Sequence, residues 1–218
     1  MSTTNLFVEL IVIGVGALAW VVLLVLSVAG WQWVPIEKVF STGALVPLLS
    51  IVYVLGIVSD RIADSVFESL WNDKLRRKRF PDVDDYHAAR RHILTRSERL
   101  SDLLEYGRSR LRICRGWTLN SMLIATSLNV FLWTRLPDSS LTPSLSLFGT
   151  IAFLTFAAAS WYTWRKLTAT EYRKVQEQAA YLIGAEREKQ TGSVVGSVPA
   201  IEERLSSPQG THAAPGIK

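Results

Sequence analysis

In a chain of 218 residues, 49% are hydrophobic, 20% are charged and eight are Trp, and the apolar and charged residues lie in separate stretches. Such segregation excludes an ordinary soluble core and points to helices that face lipid. The single cysteine, Cys114, excludes an intramolecular disulfide, and His87, His92 and His212 stand at no zinc-like spacing.

The first predicted span runs from about Leu10 to Gly30, long enough at 1.5 Å per residue to cross a hydrocarbon core of ~30 Å. The preceding MSTTNLFVE carries Glu9 and no Lys or Arg, and the apolar run exceeds the ~7 to 15 residues of a signal-peptide core, so a retained anchor is expected. Trp31, Trp33 and Pro35 close it as an interfacial aromatic pair and a helix breaker. The second span, about Thr42 to Val58, follows so soon that the two make an antiparallel hairpin, residues 1–58.

Residues 59–115 form a basic cytoplasmic helical segment. Asp60, Asp64 and Glu68, at i, i+4 and i+8, put an acidic ridge on a helix that continues out of the second span. Before the third span, Arg108, Arg112 and Arg115 make a basic ridge on a helix running the opposite way. Depth matching pairs Asp60 with Arg115, Asp64 with Arg112 and Glu68 with Arg108, a candidate stalk of interhelical ion pairs. Between the ridges, Arg76, Arg77, Lys78 and Arg79 form a cluster suited to anionic lipid headgroups. Pro81 stops a helix, Asp82 offers the start of another, and Thr95 with Glu98 offers a capping box for a third.

The third span, about Gly116 to Trp133, is the most polar. Asn120 and Ser127 share one face, Thr126 and Asn129 an adjacent one, and both faces call for interhelical hydrogen bonding, a wet path or an oligomer interface. After a turn at Pro137–Pro143, the fourth span runs from about Leu145 to Trp164, with a small-residue patch at Ala157–Ser160. This second hairpin is residues 116–166. An amphipathic helix over 167–190, with Tyr172, Val175, Ala179 and Leu182 on its apolar face, is followed by a tail, 191–218, without periodicity and expected to be disordered.

Fourteen Lys and Arg fall between Ser59 and Arg115, against Lys38 and Arg135 in the short connections. The positive-inside rule therefore places that segment and both termini in the cytoplasm, in a plasma membrane, or the inner membrane of a bacterium. The fold class expected is all-α: a four-helix transmembrane bundle with cytoplasmic helical extensions. No nucleotide-binding glycine loop, metalloprotease motif, nucleophile elbow or C-x-x-C occurs. No catalytic residue, metal or cofactor is expected, and nucleic acid is disfavoured because the basic cluster has no stacking platform. The functional expectation is a non-enzymatic membrane protein that self-associates as a homo-oligomer and forms a pore or perturbs the bilayer. The alternative is a membrane-anchored scaffold or accessory subunit that binds a cytoplasmic protein.

Overall fold

The computed structural model describes residues 3–32 and 42–195, and every regular element among them is helical. The elements are α1 (Thr3–Ala29), α2 (Thr42–Phe67), a π-helical turn (Glu68–Asn72), α3 (Asp73–Arg77), α4 (Val83–Arg96), α5 (Glu98–Arg135) and α6 (Thr142–Val195). Lys38 and most of the expected tail, with His212, lie outside the described residues.

Three helices are long and apolar enough to cross a membrane, over Leu6–Ala29, Gly43–Arg77 and Thr142–Glu188. The stretch Gly116–Trp133 within α5 is not among them, because hydroxyl and amide side chains interrupt its apolar run. At 54 residues, α6 extends roughly 80 Å, so more than half of it projects beyond any bilayer it crosses. The amphipathic segment 167–190 is the continuation of the fourth predicted span, not a separate helix.

Glycines set how closely the first two helices approach. A Cβ added to Gly14 would overlap the Val52 carbonyl, and one on Gly56 the Leu10 carbonyl, so α1 and α2 touch backbone to backbone as an antiparallel pair. Helix α5 lies in the groove between them, parallel to α1: Ile13 packs on Gly116, while Arg135 at the far end of α5 donates to the carbonyls of Leu26, Ser27 and Val28 at the end of α1. These are the carbonyls that a helix C-terminus leaves without intrahelical partners. Gly30, at φ +78°, completes the stop, its N–H reaching Leu26 O at 2.9 Å.

Helix α6 runs antiparallel to α5, with Gly149 against Leu128 and Phe156 edge-on to Trp117 at 5.5 Å. Its spanning part follows α5 and does not run along α1 or α2. The arrangement is thus all-α, with α1, α2 and α5 clustered and α6 laid antiparallel along α5. The reason lies in the side chains: Gly149 and Ala157 face α5, whereas Leu147, Phe148 and Ile151 stay exposed.

Beyond the spanning stretches, α3, α4 and the adjoining halves of α5 and α6 build a second core from Phe80, Ile93, Leu104, Tyr172, Val175 and Ala179. Asp82 caps α4 by accepting from the Asp84 N–H at 3.2 Å. The cap of α5 is Ser97, accepting from Leu100 N–H at 3.4 Å, and not Thr95, whose hydroxyl turns back to Arg91 O and His92 O. An Arg96–Glu186 ion pair at 2.9 Å ties α4 to α6.

Candidate functional site

The helical extension begins where α2 leaves α5. There Arg115 holds two acids of α2 at once: its Nη2 lies 3.3 Å from Asp60 Oδ1 and its Nη1 donates to Asp64. Asp60 and Asp64 are one helical turn apart, and a guanidinium fork spans that separation. Asp64, expected opposite Arg112, is therefore taken by Arg115. Glu68 is exposed in the π-helical turn and makes no ion pair with Arg108. Arg108 and Arg112, one turn apart on α5, are left without a carboxylate at ion-pair distance among the described residues.

Both open into a cavity of about 400 Å³ between the α2–α3 connection, α4, α5 and α6. Arg76 and Arg90 enter from α3 and α4, and Arg115 closes the end nearest the spans. Five arginines and three carboxylates, Asp64, Glu68 and Glu171, line it. Two of the arginines are engaged, Arg115 as above and Arg76 with Asp73 at 3.0 Å. Glu171 is engaged by Lys174 at 3.3 Å. Arg90, like Arg108 and Arg112, has no acidic partner at that range among the described residues. Partial burial, then the neighbouring charges of Arg90 and Arg112, lower the pKa of Arg108 below the usual guanidinium value.

The walls are aromatic. Tyr86 and Tyr172 meet edge to face at 5.3 Å, and the Tyr172 hydroxyl donates to Asn72 Oδ1 at 2.7 Å. Burial first, with Tyr86 adding to it, pushes the Tyr172 phenol up to about 12. Trp164 packs on Phe67 at 4.6 Å and belongs to a group with Trp71 and Trp161 at the root of the cavity, the composition of an interfacial aromatic belt. The four basic residues proposed for lipid headgroups divide: Arg76 turns into the cavity, while Arg77, Lys78 and Arg79 stay exposed at the end of α3.

Along the Gly116–Trp133 stretch of α5, Asn120 is 0% exposed. Its amide donates to Ile13 O at 2.9 Å, and its Oδ1 accepts from Ser59 Oγ at 2.9 Å and Trp20 Nε1 at 3.3 Å. One side chain thereby joins α1, α2 and α5. Ser127 is buried and bonds its own helix at Leu123 O. Asn129 donates to Thr150 of α6 and accepts from Ser146, whereas Thr126 points outward and bonds Met122 O.

Sequence reading missed Arg90, Trp20 and Ser59. The spacing of Tyr86, Arg90 and Ile93 on one face of α4 was the available signal for the first. Glu9 is 5% exposed, and neither carboxylate oxygen has a hydrogen-bond partner among the described residues. Comparison of the chain with protein-family models, with curated proteins and with solved structures finds no match, and the roles of these residues rest on their geometry.

Proposed function

We propose that the chain is a four-span integral membrane protein with cytoplasmic termini that serves as a membrane-anchored docking or accessory protein, without enzymatic chemistry of its own. The observation that carries this reading is the hydrogen bonding of Asn120. A polar third span is the sequence feature that suggests a pore, but this amide directs its bonds at α1 and α2 of its own chain. Asn129 does the same toward α6. Polar groups satisfied in this way hold a bundle together and ask for neither a wet path nor a second copy.

The fourth span is supported by depth. Ile13 with Asn120 and Leu26 with Arg135 pair α1 and α5 along their length, so residues 116–135 occupy the slab that α1 occupies. With the spans accounted for, the folded extension and its basic cavity are the working part, placed in the cytoplasm by the concentration of Lys and Arg.

Single cysteines at Ser97 and Ser140, on a Cys114→Ser background, test the topology in sealed cells. Labelling from outside is expected at 140 and not at 97, and labelling of both from one side overturns the four-span reading. Purified protein in planar bilayers is expected to be silent, and steady unitary conductance would overturn the anchored role in favour of a pore. Self-association is favoured separately by α6, whose spanning part lies along α5 and meets α2 only near Trp164, leaving Leu147, Phe148 and Ile151 exposed. The mass of the particle in nanodiscs distinguishes one copy from several.

A further inference from the structure

Among the described residues, three guanidiniums face one cavity with no carboxylate at ion-pair distance, and Arg90 and Arg112 repel Arg108. Arg115, by contrast, is engaged by Asp60 and Asp64, so a satisfied arginine and three unsatisfied ones share the same walls. The cavity, at about 400 Å³, falls in the ~300 to 1,000 Å³ range of small-molecule sites. It is far larger than one inorganic anion, and its aromatic walls suit an organic remainder.

We propose that this cavity is a binding site for a phosphate ester, with Arg108 at its centre and Arg90 and Arg112 on either side. The inference rests on the docking reading above and names the ligand class of its cytoplasmic site. The charge is the first argument. Asp60, Asp64 and Asp73 answer Arg115 and Arg76, so Arg90, Arg108 and Arg112 are the guanidiniums left to a ligand, and a phosphate monoester carrying close to −2 at neutral pH meets more of their charge than a single carboxylate does. The geometry is the second. The arginines come from two helices, α4 and α5, and so approach from different directions; tetrahedral phosphate oxygens meet several forks, whereas a planar carboxylate suits one. Burial first, and then the nearness of Arg90 and Arg112, lowers the pKa of Arg108, in keeping with guanidiniums gathered around one space.

Two sources present this chemistry. Trp164 in its lining, grouped with Trp71 and Trp161, puts the cavity within reach of a lipid headgroup, and its volume of about 400 Å³ also admits a soluble phosphorylated metabolite.

The test uses the full chain in nanodiscs. In phosphatidylcholine discs, glycerol 3-phosphate is titrated calorimetrically; in discs containing phosphatidic acid, retained lipid is measured by native mass spectrometry. Removing one charge-assisted contact is expected to weaken binding about ten-fold or more, so Arg108→Gln and Arg90→Gln should each lose that much. Arg99→Gln, exposed and outside the cavity, should stay within about two-fold. Arg90 and Arg108 stand on different helices, so one variant serves if the other fails to fold. Saturable binding of glycerol 3-phosphate assigns a soluble ligand, and Arg108-dependent retention of phosphatidic acid alone assigns a headgroup; either supports the site. Binding of neither probe overturns it, as does an Arg99→Gln loss equal to that of Arg108→Gln, which would make the attraction diffuse. Labelling at positions 97 and 140 in sealed cells, run alongside, separates failure of the site from failure of the topology.

Discussion

Replacing Arg115 with Gln removes the one cation that α5 offers to two acids of α2. The Asp60 side chain is 8% exposed and Asp64 40%, so the two losses differ. Stranding a buried carboxylate by deleting its partner costs ~3 to 5 kcal/mol, and the boundary position, where water can reach Asp60, puts the expected cost at the lower end, about 3 kcal/mol. Asp64 recovers solvent and adds at most ~1 kcal/mol. Asp64→Asn alone should therefore cost less than ~1 kcal/mol, and Arg112→Gln should change stability by less than ~0.5 kcal/mol. The decisive variant is Asp60→Asn with Arg115→Gln, which exchanges a charged pair for a neutral one. Its cost should fall at least ~1.5 kcal/mol short of the sum of the singles. Reversible unfolding in mixed micelles, followed by tryptophan fluorescence, measures each. Additive singles, or an Arg112→Gln loss matching that of Arg115→Gln, would refute the fork in favour of three separate pairs.

Asn120→Ala deletes three interhelical hydrogen bonds, each worth ~0.6 kcal/mol on average in membrane bundles; the same unfolding assay should show a loss of roughly 2 kcal/mol, with Thr126→Ala near zero. Gly56→Leu places a side chain where the Leu10 carbonyl stands and should abolish the α1–α2 hairpin, read as loss of the folded fraction in detergent. Glu9→Gln should stabilise the protein, because the carboxylate it neutralises is buried without a partner; a lower thermal midpoint would show that Glu9 is held by contacts of value. The Tyr172 phenol, up to about 12 in the folded protein against ~10 in an unfolded chain, contributes stability that is whole below pH 10 and lost as the pH rises through 12. The helices packed around Tyr172 should weaken over that window, and Tyr172→Phe should flatten the profile.

Much of this molecule is written in residue spacing. The two antiparallel hairpins, the helix of α4, and the facing of Asp60 and Arg115 all follow from periodicity and depth. Two local features escape it. A guanidinium bridging Asp60 and Asp64 has the same spacing signature as two separate ion pairs, so depth matching assigned Arg112 to a carboxylate that Arg115 already holds. The π-helical turn at Glu68–Asn72 is invisible to a 3.6-residue template, yet it separates the straight part of α2 from α3, and Glu68 lies in it, away from Arg108. The freed arginines and the cavity are the joint result. Likewise Thr95 and Ser97 are both acceptable caps by composition, and the choice falls to Ser97 because α4 continues through Thr95 and Arg96.

The polarity of the third span yields to the same accounting. A hydropathy window treats each Ser, Thr and Asn as though its polar atoms meet hydrocarbon, at a cost of several kcal/mol when unpaired. In α5 the condition does not hold: Thr118, Ser121 and Ser127 donate to carbonyls of their own helix at 2.8, 2.6 and 2.8 Å, and Asn120 and Asn129 are met by neighbouring helices. What remains is a helix whose polar atoms are paired before lipid is considered, buried between α1 and α2 on one side and α6 on the other. Its apolar deficit is then a reason for it to sit against α1, α2 and α6, whose exposed Val, Leu, Ile and Phe outnumber the Met122, Val130 and Trp133 that this stretch of α5 leaves open.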